Sequence, residues 1–147
     1  MIEQLAQEMG LSRLGLENNL MFRFSTQVPA GISAETALGA SATTYFALGR
    51  LANACTVTRV TMRTHAGGTS TTTIDLLYAI GGTALSAGTA VMTTVRGNTL
   101  INDTDYHAVV NSDGTQNIAA ESILGVKIAT AASETLCPLE IEVEIKG

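Results

Sequence analysis

The sequence predicts an all-β protein: an antiparallel β-sandwich or barrel-like, jelly-roll-type domain with a short N-terminal helix and an extended arm. Three observations predict it. Residues 138–146 read P-L-E-I-E-V-E-I-K, so Leu139, Ile141, Val143 and Ile145 alternate with Glu140, Glu142, Glu144 and Lys146. A period of two puts the aliphatic set on one strand face and the charged set on the other. The same alternation, with threonine as the outward residue, recurs back to about Thr43. Gly or Asn punctuates most junctions between β-branched segments, which is the rhythm of a sandwich or barrel.

The elements follow in order. From Met1 to about Met9, Ile2, Leu5, Ala6 and Met9 recur at helical spacing, and Gly10 is placed to stop the helix. Ser12 is placed to cap a further turn carrying Leu14 and Leu16. Leu20, Phe22 and Phe24 then fall on one side of an extended segment, L-M-F-R-F, read as an apolar arm outside the main sheet. Such an arm packs either on its own sandwich or on a neighbouring subunit. Gln27 to Ala42, with Pro29, Gly31 and Gly39, reads as a linker. The chain thus divides into residues 1–42 (helix, arm and linker) and residues 43–147 (sandwich).

Seven strands are expected in the second part: Thr43–Leu51, Asn53–His65, Thr69–Ile80, Thr89–Val95, Tyr106–Asn111, Ile123–Thr130 and Leu139–Lys146. In the second of them, strict alternation puts Val57, Arg59, Thr61 and Arg63 on one face and Thr58, Val60, Met62 and Thr64 on the other. Ala66-Gly67-Gly68, Gly81-Gly82, Gly97-Asn98 and Ser112-Asp113-Gly114 supply turns. No repeat of fixed period stands out.

Composition narrows function. The 147 residues fit one domain and bury enough surface for a core without staples. Tryptophan is absent and aromatics are 4%, so the core must come from Val, Ile, Leu, Ala and Met. Charged residues are 14%, well below the usual ~25%, and Thr, Ser, Gly and Ala fill the gap. That surface suits a chain packed against other protein, and small polar residues also serve a plain soluble sandwich. The net charge of −5 argues against a nucleic-acid partner, which needs a basic footprint. The N-terminus carries glutamates where a signal peptide needs positive charge, and no apolar run approaches a membrane span. A cytosolic origin is expected.

No catalytic or cofactor motif emerges. His65, His107, Cys55 and Cys137 match no zinc-ligand spacing, and the two cysteines are either bridged or two small buried thiols. Asn102–Asp105 and Asn111–Gly114 are oxygen-rich but lack the spacing of a calcium loop and read as turns. Asn102-Asp103-Thr104 is also a formal glycosylation sequon, which needs a secretory route to matter. No serine sits in G-x-S-x-G, and the Gly-rich spots lack the lysine of a phosphate loop. Glu140, Glu142 and Glu144 share one face of one strand rather than facing each other across a cleft.

The layout resembles that of tailed-bacteriophage capsid decoration, or cement, proteins. The likeness lies in the N-terminal helix and arm (residues 1–24) and the Ala/Ser-rich loop leading into A-T-T-Y-F-A-L-G-R-L and A-C-T-V-T-R-V-T-M-R. It extends to the threonine-heavy T-S-T-T-T-I-D-L and the alternating C-terminal strand. The resemblance implies a non-enzymatic virion protein on the capsid exterior, made in the host cytoplasm. It also implies a homotrimer, no cofactor, and arms that clamp neighbouring copies of the major capsid protein. The apolar residues outside the alternating sheet, Ile2, Leu5, Met9, Leu20, Phe22 and Phe24, are the expected partner-binding anchors. The competing readings are a sugar- or ligand-binding sandwich, for which Tyr45, Tyr78 and Tyr106 are a poor aromatic supply, another phage part such as a fibre or connector, and an enzyme on a β scaffold, which needs a clustered acid, base or metal that two histidines do not supply.

Overall fold

The computed structural model describes residues 20–25, 43–64, 71–129 and 139–147. The expected helix at residues 1–9, the turn at 12–16 and the linker at 27–42 lie outside them.

Two five-stranded antiparallel sheets make a sandwich. In sheet A, β1 (Leu20–Ser25) pairs with β10 (Leu139–Lys146), β10 with β3 (Cys55–Thr64), and β3 with both β7 (Tyr106–Ala108) and β8 (Asn117–Ile118). In sheet B, β2 (Thr43–Leu51) pairs with β9 (Ser122–Ala129), β9 with β4 (Thr73–Ile80), and β4 with both β5 (Thr89–Ala90) and β6 (Val95–Arg96). The short strands β5 and β6 share one position in sheet B, and β7 and β8 share one in sheet A. The result is the interleaved order of a jelly roll.

The two long sides of the sandwich differ. On one, Met92 bridges Val110, Thr93 N–H donates to the Val109 carbonyl at 2.9 Å, and Asn111 N–H donates to the Val91 carbonyl at 2.9 Å. These bonds stitch the far edge of sheet B to the far edge of sheet A and close that side. On the other side, the outermost described strands are β1 and β2.

The core is aliphatic, as composition requires. Val60, Met62, Ile74, Leu76, Met92, Leu124, Val126, Ile128, Leu139, Ile141 and Val143 are buried, while Phe46, Tyr78 and Tyr106 pack at its margin. In β10 the buried residues are the alternate aliphatics that the sequence singles out.

Two bulges overturn strict alternation elsewhere. In β3, Arg59 pairs with Glu144 and Val57 with Ile145, leaving Thr58 as the extra residue. Its hydroxyl donates to the Glu144 carbonyl at 3.2 Å. The bulge reverses the phase, so Cys55 and Val57 face inward on one side of it and Val60, Met62 and Thr64 on the other. Val57 therefore does not share a face with Arg59. In β2 the skipped residue is Leu48, between Ala47 and Gly49, which lets Phe46 and Leu48 pack on the core before Leu51 is buried.

Three further differences stand out. The expected strand Thr89–Val95 breaks into β5 and β6, because Val91 and Met92 turn inward between them. The expected strand Tyr106–Asn111 is regular only to Ala108. The segment read as an arm outside the sheet forms β1 inside it: Leu20, Phe22 and Phe24 stand opposite Ile145, Val143 and Ile141. The period of two in L-M-F-R-F matches that of β10, which is the reason it pairs there.

Beyond Ile80 the chain folds back through a 3-10 turn, Leu85–Ala87, over the outer face of sheet B. A methyl group at Gly125 would lie 2.5 Å from Leu85 Cδ1 and 2.9 Å from the Phe46 carbonyl oxygen. Glycine at 125 thus lets this turn seat on the sheet. Gly125→Ala is expected to destabilise the protein by about 1–3 kcal/mol, and Leu85→Ala added to it to recover part of that loss. Urea unfolding of the two single variants and the double variant measures this; strictly additive losses would show that Leu85 does not seat on Gly125.

Candidate interaction surface

The outer face of sheet A is a lattice of threonines and paired charges. In register, Arg59 stands opposite Glu144 and Arg63 opposite Glu140 across β3 and β10. Arg59 is ion-paired with Glu144, and Arg63 Nη1 lies 3.8 Å from Asp105 Oδ1. The next row runs Arg23, Glu142, Thr61, His107 across β1, β10, β3 and β7. Thr61 Oγ1 and His107 Nδ1 are 3.1 Å apart in a hydrogen bond. The acidic row of β10 therefore lies inside the sheet, flanked by basic residues on both neighbours, and not at an edge. Each exposed pair contributes at most ~1 kcal/mol.

The outer face of sheet B has a different character. Tyr45, Ala47, Leu77, Ala79, Ile123 and Gly125 occupy its centre, with Leu85 over Gly125. Within this small, apolar surface sits one ion pair missed by motif reading. Asp75 is buried, with Lys127 Nζ 3.3 Å from its Oδ2, and Thr94 Oγ1 donates to its Oδ1. The signal was present as a lone Asp inside T-I-D-L-L-Y and a lone Lys inside L-G-V-K-I-A, each a single charge in an apolar strand.

The oxygen-rich loops spend their oxygens on themselves. Asp113 Oδ1 accepts the Thr115 hydroxyl at 2.6 Å and its backbone N–H at 3.0 Å. Those two bonds, the hydroxyl first, hold the Asp113 carboxyl below its usual range. Asn111 Nδ2 donates to the Ala90 carbonyl and to Thr115 Oγ1. In the other loop, Asp103 N–H donates to the Thr64 carbonyl at 2.7 Å, and Thr104 Oγ1 donates to the Asn102 carbonyl at 3.2 Å. Both are turns with hydrogen-bonding side chains.

Cys55 is a free, buried thiol, and burial pushes its ionisation upward. The folded state thus keeps the thiol neutral where the unfolded chain ionises. The resulting contribution to stability is full below the ordinary thiol range and declines as pH rises through it. His65 and Cys137 lie outside the described residues. Among the described residues, no group of three or more His, Cys, Asp or Glu is placed to hold a metal ion, and no helix is long and apolar enough to cross a membrane. Of the six expected anchors, Ile2, Leu5 and Met9 lie outside the described residues, and Leu20, Phe22 and Phe24 occupy successive same-face register positions of β1.

No family model and no curated protein matches the chain. Among solved structures, a chain of the acidic stable capsid structure of Helicobacter pylori bacteriophage KHP30 is similar. The match has a TM-score of 0.49 and 9% identity, and covers 89% of each chain.

Lys127→Met is expected to destabilise the protein by about 1–3 kcal/mol, because it leaves a buried carboxylate with Thr94 as its remaining partner of the two. Arg59→Ala on the exposed face is expected to cost less than about 1 kcal/mol. Equilibrium unfolding in urea compares them; equal losses would contradict the different character assigned to the two faces. In a Cys137→Ser background, Cys55 is expected to resist a thiol-specific reagent until the protein unfolds. Rapid native labelling would show that the thiol is not buried.

Proposed function

We propose that this chain is a non-enzymatic structural protein of a tailed-bacteriophage virion. It binds the outer surface of the assembled capsid and stabilises it by clamping neighbouring copies of the major capsid protein. The observation that carries this reading is a division of labour along the chain. A jelly-roll body has many of its outward polar groups engaged with one another, and it follows an N-terminal segment whose Ile2, Leu5 and Met9 recur at helical spacing. The layout resemblance to decoration proteins, the low charge and the surface of small polar residues support the same role.

The mechanism is mass action. A protein that binds the closed shell and not separated subunits shifts the equilibrium toward the shell by an amount set by its affinity and concentration. Ile2, Leu5 and Met9 are the anchors assigned to the capsid. Leu20, Phe22 and Phe24 serve instead through the strand that they form.

Cosedimentation with shells assembled from the major capsid protein of the same virus tests this. Saturable binding to shells, none to unassembled subunits, and a higher shell disruption temperature are expected. Absence of binding to shells would overturn the proposal. A chain lacking residues 1–19 is expected to fold and to bind at least ~10-fold more weakly. Removing residues 1–25 also removes β1, and is expected to lower stability as well.

A further inference from the structure

We infer that β1 is an exchanged strand: in the oligomer, β1 of one copy pairs with β10 of a neighbouring copy and completes its sheet in trans. This rests on the proposed role as an oligomeric shell protein and specifies how the copies are joined.

Four observations carry it. First, β10 is buried along its whole inward row, Leu139, Ile141, Val143 and Ile145, and β1 is the strand that pairs with its outer edge. Second, β1 joins the sheet through β10 alone. Its pairing partner among the described residues is β10, with a lesser contact to β2. A strand held by one neighbour is exchanged between identical copies with every register pair preserved. The six pairs run from Leu20–Ile145 to Ser25–Glu140, and Arg23 opposite Glu142 favours that alignment.

Third, the tether is longer than the cis crossing requires. At the pole that holds Ser25, Thr64, Thr73, Ala129 and Leu139, β3 crosses to β4 in 8 residues (65–72) and β9 crosses to β10 in 9 (130–138). The β1-to-β2 crossing joins the same two layers at the same pole and has 17 residues (26–42). The surplus of 8 to 9 residues has an extended reach of roughly 26–30 Å. That is more than the width of four strands at ~4.8 Å spacing. Fourth, β1 lies on the side of the sandwich that no inter-sheet bridge closes among the described residues. On a shell, neighbouring copies are held at high effective concentration, and the trans pairing adds contacts to the lattice without building a new interface.

The test uses full-length chain and a cross-strand pair split between two copies. Met21→Cys in one copy and Glu144→Cys in a differently tagged copy stand opposite each other in register, within the range of a disulfide. Coexpression, mild oxidation and non-reducing electrophoresis read the result. A disulfide joining the two tags forms only in trans, and it is expected in a large share of the oligomer. Each single variant alone controls for Cys55 and Cys137. The double variant Met21→Cys/Glu144→Cys in one chain confirms the register. If it closes an intrachain bond at every concentration and the mixed tags never join, exchange is overturned. If neither this pair nor Arg23→Cys with Glu142→Cys bonds in any arrangement, the β1–β10 pairing itself fails. Shell binding is read separately by cosedimentation. Binding without the mixed bond overturns exchange and leaves the shell role standing; the mixed bond without binding does the reverse.

Discussion

The aliphatic row of β10 is the constraint on which the rest of this molecule depends. Four branched side chains at every second position must be covered by an opposing layer, and the strand that carries them must be flanked on both edges. Sheet B supplies the cover through Leu124, Val126 and Ile128 of β9 and Ile74 and Leu76 of β4. β3 supplies one flank and β1 the other. Because β10 is near the C-terminus and β1 near the N-terminus, the sheet closes over almost the whole length of the chain. Such non-local pairing folds slowly, and it makes the N-terminal strand part of the body.

β10 is the element most legible in the sequence, because one face is buried and nothing interrupts its alternation. β2 and β10 have the bounds their alternation implies, and β9 begins one residue early. What was not legible has a common cause. A bulge inserts one residue, Thr58 in β3 or Leu48 in β2, of a type equally at home on a regular strand, so a period-two reading runs straight through it. The same reading merged β5 and β6, since Val91 and Met92 are as apolar as a strand interior. β1 reads as extended in the sequence, but its partner lies at the far end of the chain, and that separation hides the pairing. The Asp75–Lys127 pair was invisible to motif search and visible only as two isolated charges in apolar strands.

The two outer faces differ in a way that matters for partners. On sheet A, Arg59 pairs with Glu144 across β3 and β10 and Arg63 with Asp105, which favours the observed register. On sheet B the outer face is apolar, its Leu77, Ala79 and Asp75 are buried, and loss of Lys127 would leave the Asp75 charge buried without its cation. A jelly roll by itself serves many functions, so the role proposed here rests on these surfaces and on the N-terminal segments.

A reconstruction of the intact virion by electron cryomicroscopy tests the account most directly. It expects jelly-roll density on the outer surface of the capsid, with residues 1–19 lying on neighbouring capsid subunits and β1 crossing from one copy to the next. Jelly-roll density confined to the tail, or absent from the capsid exterior, would contradict it.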